Sequence, residues 1–523
     1  MSGVPRSGTD ERDERSAGPA PGRRSRAVLP GVGSVGLVAI CVLFTLAVRV
    51  PFLTKPLMPD EAGLLIIAHN WAEGPYLYGD YFVGRGILLV AFYALADLLG
   101  GPLALRLLAG LVAAVMVVAA GWAGHLLRGR AGAGSAALVA AAWSSTYAFS
   151  SDVMNERLVA ATLVMLCCAL TLSAVQRPRP AGRAVMAGVL AIAPLLVVQS
   201  YADGLVFAGV VLLASLQART ISAGDAVRVA AGGLVGMLVA AAALGLVLAA
   251  TWMTAAQWWF QMFGYRVAAS RIVGVGTEKP LDRMQLLLWL ATLSGMLLLV
   301  VCLLTGFREI RRRPDLRPTW FALWAMLGLT LASMAAGGDW WPDYLLQPIP
   351  ALAMAAALVA PSVTWSGLGA RLAAVVATGA ALVAVYLGLY NPLLGTPDNE
   401  AAVGEWMAAG AEDGDTVVVI WGQANVVYHS GMDSPYPYMW SLITRTLDPD
   451  LDRIVGTLRG PDAPTWVVQW YDFDAWGLDD EGRLADVMRE RYVKVGTPCG
   501  MNVFVLRGAD RDAPPSEACG HLG

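Results

Sequence analysis

The sequence predicts an α-helical polytopic membrane protein with a small α/β domain at its C-terminal end. The chain has 523 residues, of which 57% are hydrophobic and 15% charged, and its mean hydropathy is +0.57. This composition is too apolar for a water-soluble protein of this length. The apolar residues gather in runs of about 20, the length that a helix needs to cross a bilayer. The net charge of -3 gives no sign of a nucleic-acid-binding surface.

Eleven apolar runs are predicted to cross the membrane. A polar arm, residues 1–29, precedes the first run and is predicted to be disordered and cytoplasmic. No small-residue cleavage site clearly follows that run, so it is interpreted as a retained span and not as a signal peptide. The predicted spans lie at about residues 30–50, 102–127, 134–150, 157–176, 184–200, 202–217, 229–252, 284–306, 319–336, 344–361 and 370–391.

Another apolar run, from Gly86 to Leu99, is not predicted to cross. It is short and contains Asp97. With eleven spans the arginines of the connecting segments, including the Arg308–Arg317 cluster, share the side of the arginine-rich N-terminus, whereas a twelfth span would place nearly all of them outside. The run is therefore predicted to lie in the outer interface or to re-enter it. The N-terminus of this multi-pass cell-membrane protein is predicted to be cytoplasmic and its C-terminal domain extracytoplasmic.

The predicted division is a cytoplasmic arm (1–29), a transmembrane unit (30–391) and an extracytoplasmic α/β domain (392–523). The pattern of the last part predicts two helical stretches and three strands. These are helices at Asn399–Gly410 and Glu481–Tyr492, and strands at Thr416–Trp421, Thr465–Trp470 and Val503–Leu506. Cys499 and Cys519 of this polar tail could form a disulfide.

Two adjacent acids, Asp60 and Glu61, follow the first span closely. Acids after Pro59 suit a helix N-terminus, where carboxylates complement the helix dipole. A carboxylate at the mouth of a span is also where a general base would meet a membrane-bound donor and a water-side acceptor. Both interpretations stay open from these residues alone.

The loop that contains these acids resembles the first outer loop of the GT-C glycosyltransferases, in the branch related to protein O-mannosyltransferases and aminoarabinose transferases. The matching positions are Asp60, Glu61, Ala68, Gly74, Tyr78, Asp80, Arg85 and Leu88. Arg106-Leu107 and the segment Tyr344 to Pro350 extend the likeness, which covers roughly residues 35–360. The resemblance implies a GT-C fold of about eleven transmembrane helices with additional interfacial helices.

The resemblance also implies the site. Asp60 matches the catalytic base of the family, with Glu61 beside it, and Glu156 matches an acidic residue of the second outer loop. Arg85 matches a basic residue that contacts the lipid phosphate, although Gly86 stands where the family usually has proline. The donor implied is a polyprenyl-phosphate sugar.

A phosphate leaving group needs a cationic clamp and hardly any general acid, because its second pKa is about 6. Arginine binds phosphate with two parallel hydrogen bonds, which favours Arg85, Arg106 and Arg266 over Lys55. Each of these charges, taken alone, could also be a solvated surface residue. The predicted substrate rim is Tyr78, Asp80, Asp343, Tyr344 and Gln347. The aromatic loop from Trp252 to Arg283 is either an interfacial belt or a lid over the donor.

The cofactor question stays open. The four histidines are too scattered for a metal-ligand spacing, and no cysteine pair fits a zinc site. No Gly-rich phosphate loop follows a strand, so a nucleotide donor is unsupported. Asp60 and Glu61 could bind a divalent cation, but nothing near them in the sequence completes an oxygen cage.

The favoured hypothesis is an inverting glycosyltransferase that moves a sugar from a polyprenyl-phosphate donor to an acceptor hydroxyl on the outer face. The acceptor would be a glycan, lipid or protein of the cell envelope. The expected partners are the donor, the acceptor and membrane lipids, with no nucleic acid. The alternatives are a lipid or solute transporter and a glycan-binding envelope protein. Transporters usually carry ionisable groups near mid-membrane, and the predicted spans have essentially none away from their ends.

Overall fold

The structure is a computed structural model that describes residues 33–176, 181–251, 253–272, 280–359 and 399–515. Up to residue 359 it is helical. The α-helices are α1 (Ser34–Arg49), α2 (Pro59–His69), α3 (Ile87–Leu98), α4 (Pro102–Ser144), α5 (Glu156–Gln176), α6 (Ala181–Ile192), α7 (Asp203–Gln217), α8 (Ala223–Ala250), α9 (Ala255–Trp259), α10 (Tyr265–Ser270), α11 (Pro280–Leu293), α12 (Met296–Thr305), α13 (Phe307–Ile310), α14 (Arg317–Gly337) and α15 (Ile349–Val359). Short 3₁₀ turns cover Val50–Phe52, Tyr147–Phe149, Ala193–Leu196 and Pro342–Leu346, and a π-helical turn covers Phe260–Gly264.

Several of these helices are apolar and long enough to cross a membrane, as predicted. The described part contains six such helices, or seven if the pair α11–α12, which is bent by 62°, counts as one span. Three shorter apolar helices, Ile87–Leu98, Ala181–Leu196 and Asp203–Gln217, fall below that length. The exact count of eleven stays a prediction, and its last span, 370–391, lies outside the described residues.

Helix α4 contains two of the predicted spans. Its 43 residues leave helical geometry at Arg128 and Gly129, where Gly129 has φ 62°. The chain then turns back on itself, and its two arms approach closely. A Cβ atom on Gly124 would lie only 2.2 Å from the carbonyl oxygen of Gly132. Two antiparallel arms joined by this turn correspond to the runs predicted at 102–127 and 134–150.

Helix α3 occupies the run that was predicted not to cross. With 12 residues it is roughly 18 Å long at 1.5 Å per residue, well short of a hydrocarbon core of about 30 Å. It packs against α2 and α4. The backbone N–H of Gly86, just before α3, donates to the carbonyl oxygen of Val197 at 3.1 Å, which ties the loop to the segment before α7.

The chain from residue 399 onward contains a small mixed sheet with helices. Its elements are α16 (Asn399–Gly410), β1 (Val417–Ile420), α17 (Ala424–Ser430), α18 (Ser441–Leu447), α19 (Asp452–Arg459), β2 (Trp466–Gln469), α20 (Arg483–Arg491), β3 (Tyr492–Gly496) and β4 (Asn502–Leu506). The strand order is β1-β2-β4-β3, with β1 and β2 parallel and the other pairs antiparallel. Val418 pairs with Val467, and Val468 with Val503, which places apolar side chains along the central strands.

The predicted elements of this region are present, and several more were not predicted. The predicted helices correspond to α16 and α20, and the predicted strands to β1, β2 and β4. Strand β3 and the helices α17, α18 and α19 were missed. In β3 the valines are interrupted by Lys494 and Gly496, so the apolar alternation is short and follows directly on the pattern of α20. The predicted domain boundaries at 29/30 and 391/392 lie outside the described residues.

The sheet region packs onto the first outer loop. Asn425 Nδ2 donates to the carbonyl oxygen of Leu57 at 3.4 Å, and the N–H of Phe82 donates to the carbonyl oxygen of Pro437 at 3.1 Å. Helix α17 also packs against α2. The first outer loop and the sheet region, which are more than 300 residues apart in sequence, therefore meet around α2. In the tail, Cys499 is disulfide-bonded, and Cys519 lies outside the described residues.

Candidate active site

The acidic pair begins helix α2 and points in two directions. Met58 is the N-cap, Pro59 is the first helical residue, and the Glu61 carboxylate accepts the Met58 N–H at 3.2 Å. Neighbouring side chains on a helix point about 100° apart. The Asp60 side chain is accordingly 60% exposed, whereas that of Glu61 is 2% exposed. One carboxylate faces open space and the other faces the protein interior.

Asp60 contacts two other segments of the chain. Its Oδ1 accepts a hydrogen bond from Trp440 Nε1 at 2.8 Å, and its Oδ2 lies 3.8 Å from Arg85 Nη2. The surrounding protein partly desolvates the carboxyl group and raises its pKa, against the lowering by Arg85. The nearby Glu156 raises the pKa further, and the Trp440 hydrogen bond lowers it. The net direction is upward, which suits a group that must accept a proton.

Arg85 connects Asp60 with Glu156. Its Nη2 lies 3.1 Å from Glu156 Oε1, on the first residue of α5. Burial disfavours the charged guanidinium, but Glu156 and Asp60 outweigh it and raise the pKa of Arg85. The backbone is held as well, because Tyr78 Oη donates to the Arg85 carbonyl oxygen at 2.8 Å.

The glycine after Arg85 has a local explanation. A Cβ atom on Gly86 would lie 2.0 Å from the carbonyl oxygen of Leu196. Proline at this position would add the same clash and would remove the N–H that donates to Val197. The close packing of the loop on residues 196 and 197 thus accounts for glycine where the GT-C pattern usually has proline.

Arg266, on α10, brings a second cation to Arg85. Its Nη2 makes a long contact of 3.4 Å to the carbonyl oxygen of Gly84, and its Nε is buried without a hydrogen-bond partner among the residues that the structure describes. Burial and the neighbouring Arg85 lower the pKa of Arg266. A buried guanidinium whose charge is disfavoured by a neighbouring arginine is suited to bind an anion.

Glu61 and Arg106 form a separate ion pair in the interior. Both side chains are 2% exposed. Glu61 Oε1 also accepts the Met154 N–H at 3.0 Å, and Arg106 Nη2 donates to the carbonyl oxygen of Pro56 at 3.0 Å. The expectation for these two residues was catalysis and phosphate binding. The structure instead places both where neither has access to open space.

A third group lies beside Glu156. Arg157 Nε donates to Asp343 Oδ2 at 3.0 Å, and its guanidinium lies 3.8 Å from the centre of the Tyr344 ring. Asn155 Nδ2 donates to the same Asp343 oxygen at 3.1 Å. Asp343 and Tyr344, predicted as substrate rim, thus lie next to the cluster through Arg157.

The other predicted rim residues do not share one surface. Tyr78 is fully buried behind Arg85. Asp80 is exposed in the turn that follows Gly79. Gln347 is buried, and its Nε2 donates to Asp203 Oδ2 at 2.9 Å in a network between helices. The cluster around the exposed Asp60 therefore consists of Asp60, Arg85 and Glu156, with Arg266 and the Arg157 group at its edge.

Trp440 is the contact that sequence reasoning missed. It lies in the aromatic stretch from Tyr436 to Trp440. It is 380 residues from Asp60 in sequence, and no local pattern connects the two positions. As for metals, the described part of the chain contains no group of three or more His, Cys, Asp or Glu residues that could hold an ion.

Several solved structures of other proteins share the fold of this chain. No family model and no curated protein matches the sequence. Among solved structures, ArnT from Cupriavidus metallidurans bound to undecaprenyl phosphate matches with a TM-score of 0.61 and 15% identity, over 91% of this chain and 98% of that one. Its apo form gives the same TM-score of 0.61, over 90% and 98%. The Archaeoglobus fulgidus oligosaccharyltransferase in complex with Zn and sulfate gives 0.54 at 14% identity, over 90% of this chain and 73% of that one.

Identities this low establish the fold alone. ArnT, an aminoarabinose transferase, and the archaeal oligosaccharyltransferase are both membrane enzymes of the GT-C superfamily. The resemblance noted in the first outer loop is thus matched by a structural likeness over nine-tenths of the chain. The chain has the GT-C fold.

Proposed function

We propose that the chain is an inverting glycosyltransferase that moves a sugar from a polyprenyl-phosphate donor to an acceptor hydroxyl on the outer face of the membrane. The observation that carries the proposal is the cluster of Asp60, Arg85 and Glu156, which three separate segments build into the GT-C fold. The ArnT structure that this fold matches is bound to undecaprenyl phosphate.

In this proposal Asp60 is the general base. It accepts the acceptor proton while the acceptor oxygen forms a bond to the anomeric carbon. The bond from that carbon to the phosphate oxygen breaks, and its electron pair leaves with the phosphate. Asp60 suits this role because it is accessible, is held at both oxygens and has a raised pKa.

Arg85 and Arg266 would bind the donor phosphate. Bringing an anion between them would relieve the repulsion of their charges and give the buried Nε of Arg266 an acceptor. Glu61 and Arg106 then have a supporting role, since their ion pair fixes the start of α2 to the segments around Pro56 and Met154. Glu156 positions Arg85 and offsets part of its positive charge.

Inversion follows from the state of the second carboxylate. A retaining reaction needs a nucleophilic carboxylate about 5 Å from the first, beneath the sugar. Glu156 is near Asp60, but its side chain is only 8% exposed and is ion-paired with Arg85. Such a carboxylate is poorly placed to attack carbon, whereas Asp60 is open. An inverted anomeric configuration in the product is therefore expected.

A divalent cation remains compatible with the proposal. Asp60 and Glu156 are the carboxylates that a cation could approach, and one of the matched solved structures is a complex with Zn. In this structure the place between the two carboxylates is taken by the Arg85 guanidinium. Turnover with and without a chelator decides whether an ion is needed.

The direct test supplies the purified protein with a panel of polyprenyl-phosphate sugars and envelope acceptors, and measures released polyprenyl phosphate. Transfer by the wild type and its loss in Asp60→Asn are expected. The matched control is Asp450→Asn, which alters an exposed carboxylate of the sheet region. A broad panel without any release would contradict the proposal and favour lipid or solute transport, which assays in vesicles would then detect.

A further inference from the structure

The indole of Trp440, in the sheet region, contacts the proposed base on α2. Its Nε1 donates to Asp60 Oδ1 at 2.8 Å. Trp440 directly precedes α18, and its carbonyl oxygen accepts the N–H groups of Ile443 at 3.0 Å and Thr444 at 3.1 Å. The backbone that carries the indole is therefore anchored to the start of a helix.

Helix α2 is shaped to receive this ring. Gly63 lies three residues after Asp60, on the same side of the helix. A Cβ atom on Gly63 would lie 2.3 Å from Cζ2 and 2.7 Å from Cη2 of Trp440. Any larger residue at position 63 would displace the indole, so the glycine and the hydrogen bond belong to one arrangement.

We propose that Trp440 is a positioning residue that holds Asp60 as an ionised base and turns its free oxygen toward Arg85 and the reacting groups. The assignment rests on the proposed function of Asp60. An indole N–H donates and cannot accept, so its hydrogen bond favours the carboxylate over the carboxylic acid. Through this contact the sheet region completes the active site of the helical part.

The groups around Asp60 oppose one another. Arg85, from the loop before α3, favours the ionised carboxylate. Glu156 on α5 and Asp343 on the 3₁₀ turn favour the protonated form, and the phenols of Tyr93 and Tyr265 also face this charge. Trp440 acts in the same direction as Arg85, so its loss shifts the balance toward the acid.

The test measures kcat/KM against pH for the wild type and two variants that remove the contact in different ways. Trp440→Phe keeps an aromatic ring without the N–H, and Gly63→Ala keeps the indole but displaces it. Loss of a hydrogen bond to a carboxylate moves the pH at which that carboxylate is half protonated upward by about one to two units. We expect the acid limb of both variants to move upward by about that amount, so that kcat/KM falls about tenfold to a hundredfold at a pH well below the limb.

Trp466→Phe is the matched control. Trp466 Nε1 donates to Asp415 Oδ2 at 3.0 Å within the sheet region, so the substitution removes an indole–carboxylate hydrogen bond elsewhere. Its pH profile should match that of the wild type. Thermal unfolding of each purified variant identifies a misfolded one, and Gly63→Ala then serves in place of Trp440→Phe.

The outcomes separate the two proposals. An active wild type with an unshifted acid limb in both variants overturns the assignment of Trp440 and leaves Asp60 as the base. A uniform loss of activity at all pH values shows a structural role only and overturns it too. A wild type that transfers no sugar contradicts the proposed function, and the assignment fails with it.

Discussion

Two ion-pair clusters, built from consecutive acids of one helix, have opposite characters. Glu61 and Arg106 are sealed in the interior, with backbone groups around them. In the cluster of Asp60, Arg85 and Glu156, the Asp60 side chain is 60% exposed. A rotation of about 100° between neighbouring helical residues suffices to send one carboxylate inward and the other outward. The comparison shows that the position of a motif does not assign the roles within it, because burial decides which carboxylate can react.

The largest effect expected from this comparison concerns turnover. Removal of a general base typically costs about 10² to 10⁴ in rate. Asp60→Asn should lose turnover on that scale and keep donor binding nearly unchanged, because the amide retains the shape of the carboxyl and the accepting oxygen for Trp440. Single-turnover kinetics and donor binding would measure both. Near-normal turnover of a folded Asp60→Asn variant would break the assignment of the base.

The second effect concerns stability instead of turnover. Glu61→Ala leaves the Arg106 guanidinium buried without its counter-charge, and loss of one partner of a buried ion pair typically costs about 3 to 5 kcal/mol. We expect a large drop in thermal stability in detergent. Asp60→Asn, measured side by side, should show no such drop. If Glu61→Ala is fully stable and loses only turnover, the inward carboxylate has a chemical role and the contrast between the clusters fails.

The third effect concerns the donor. Arg266→Ala removes a cation that the structure describes without a partner at Nε, so the folded protein loses little. A charge-assisted hydrogen bond to phosphate has a net value of about 1.5 to 3 kcal/mol, and donor affinity should fall about tenfold to a hundredfold. Binding of polyprenyl phosphate alone reports this loss. The control is Arg453→Ala, which should bind the donor normally. It removes an arginine that is hydrogen-bonded to Tyr76 of the first outer loop, the loop that also contains Arg85.

The sequence predicted the parts of this fold that depend on local pattern. Apolar runs located the helices, and the change of pattern after the last run located the sheet region. The first-loop residues led to Asp60 and Arg85, which the structure brings within 3.8 Å. The different burial of Asp60 and Glu61 could not be predicted, because both are acidic residues next to each other in the sequence. The turn at Gly129 inside α4 was implicit in two separate predicted spans.

Long-range contacts were the other part that could not be predicted. The Trp440–Asp60 hydrogen bond depends on how the sheet region docks on α2, which involves Gly63, Ala424 and Asn425. None of these residues stands out by type or spacing. The same holds for Gly86, whose role depends on the carbonyl oxygen of Leu196 more than a hundred positions later. Tertiary packing determines such contacts.

The smallest effect is a pH dependence that distinguishes the two carboxylates in the folded protein. The pKa of Asp60 is raised above its usual value of about 3.9, first by partial desolvation and then by Glu156. The base is active only when ionised, so turnover should fall as the pH drops through this raised value. The sign for stability is opposite to that of turnover. A folded state that holds the proton more tightly than the unfolded state is most stable at low pH and loses stability as the pH rises through the raised pKa. Asp60→Asn should therefore abolish this loss and be slightly more stable than the wild type at neutral pH, while it is far less active. Thermal unfolding of both proteins between about pH 4 and pH 8 measures the difference, and identical profiles would mean that the environment of Asp60 does not favour the proton.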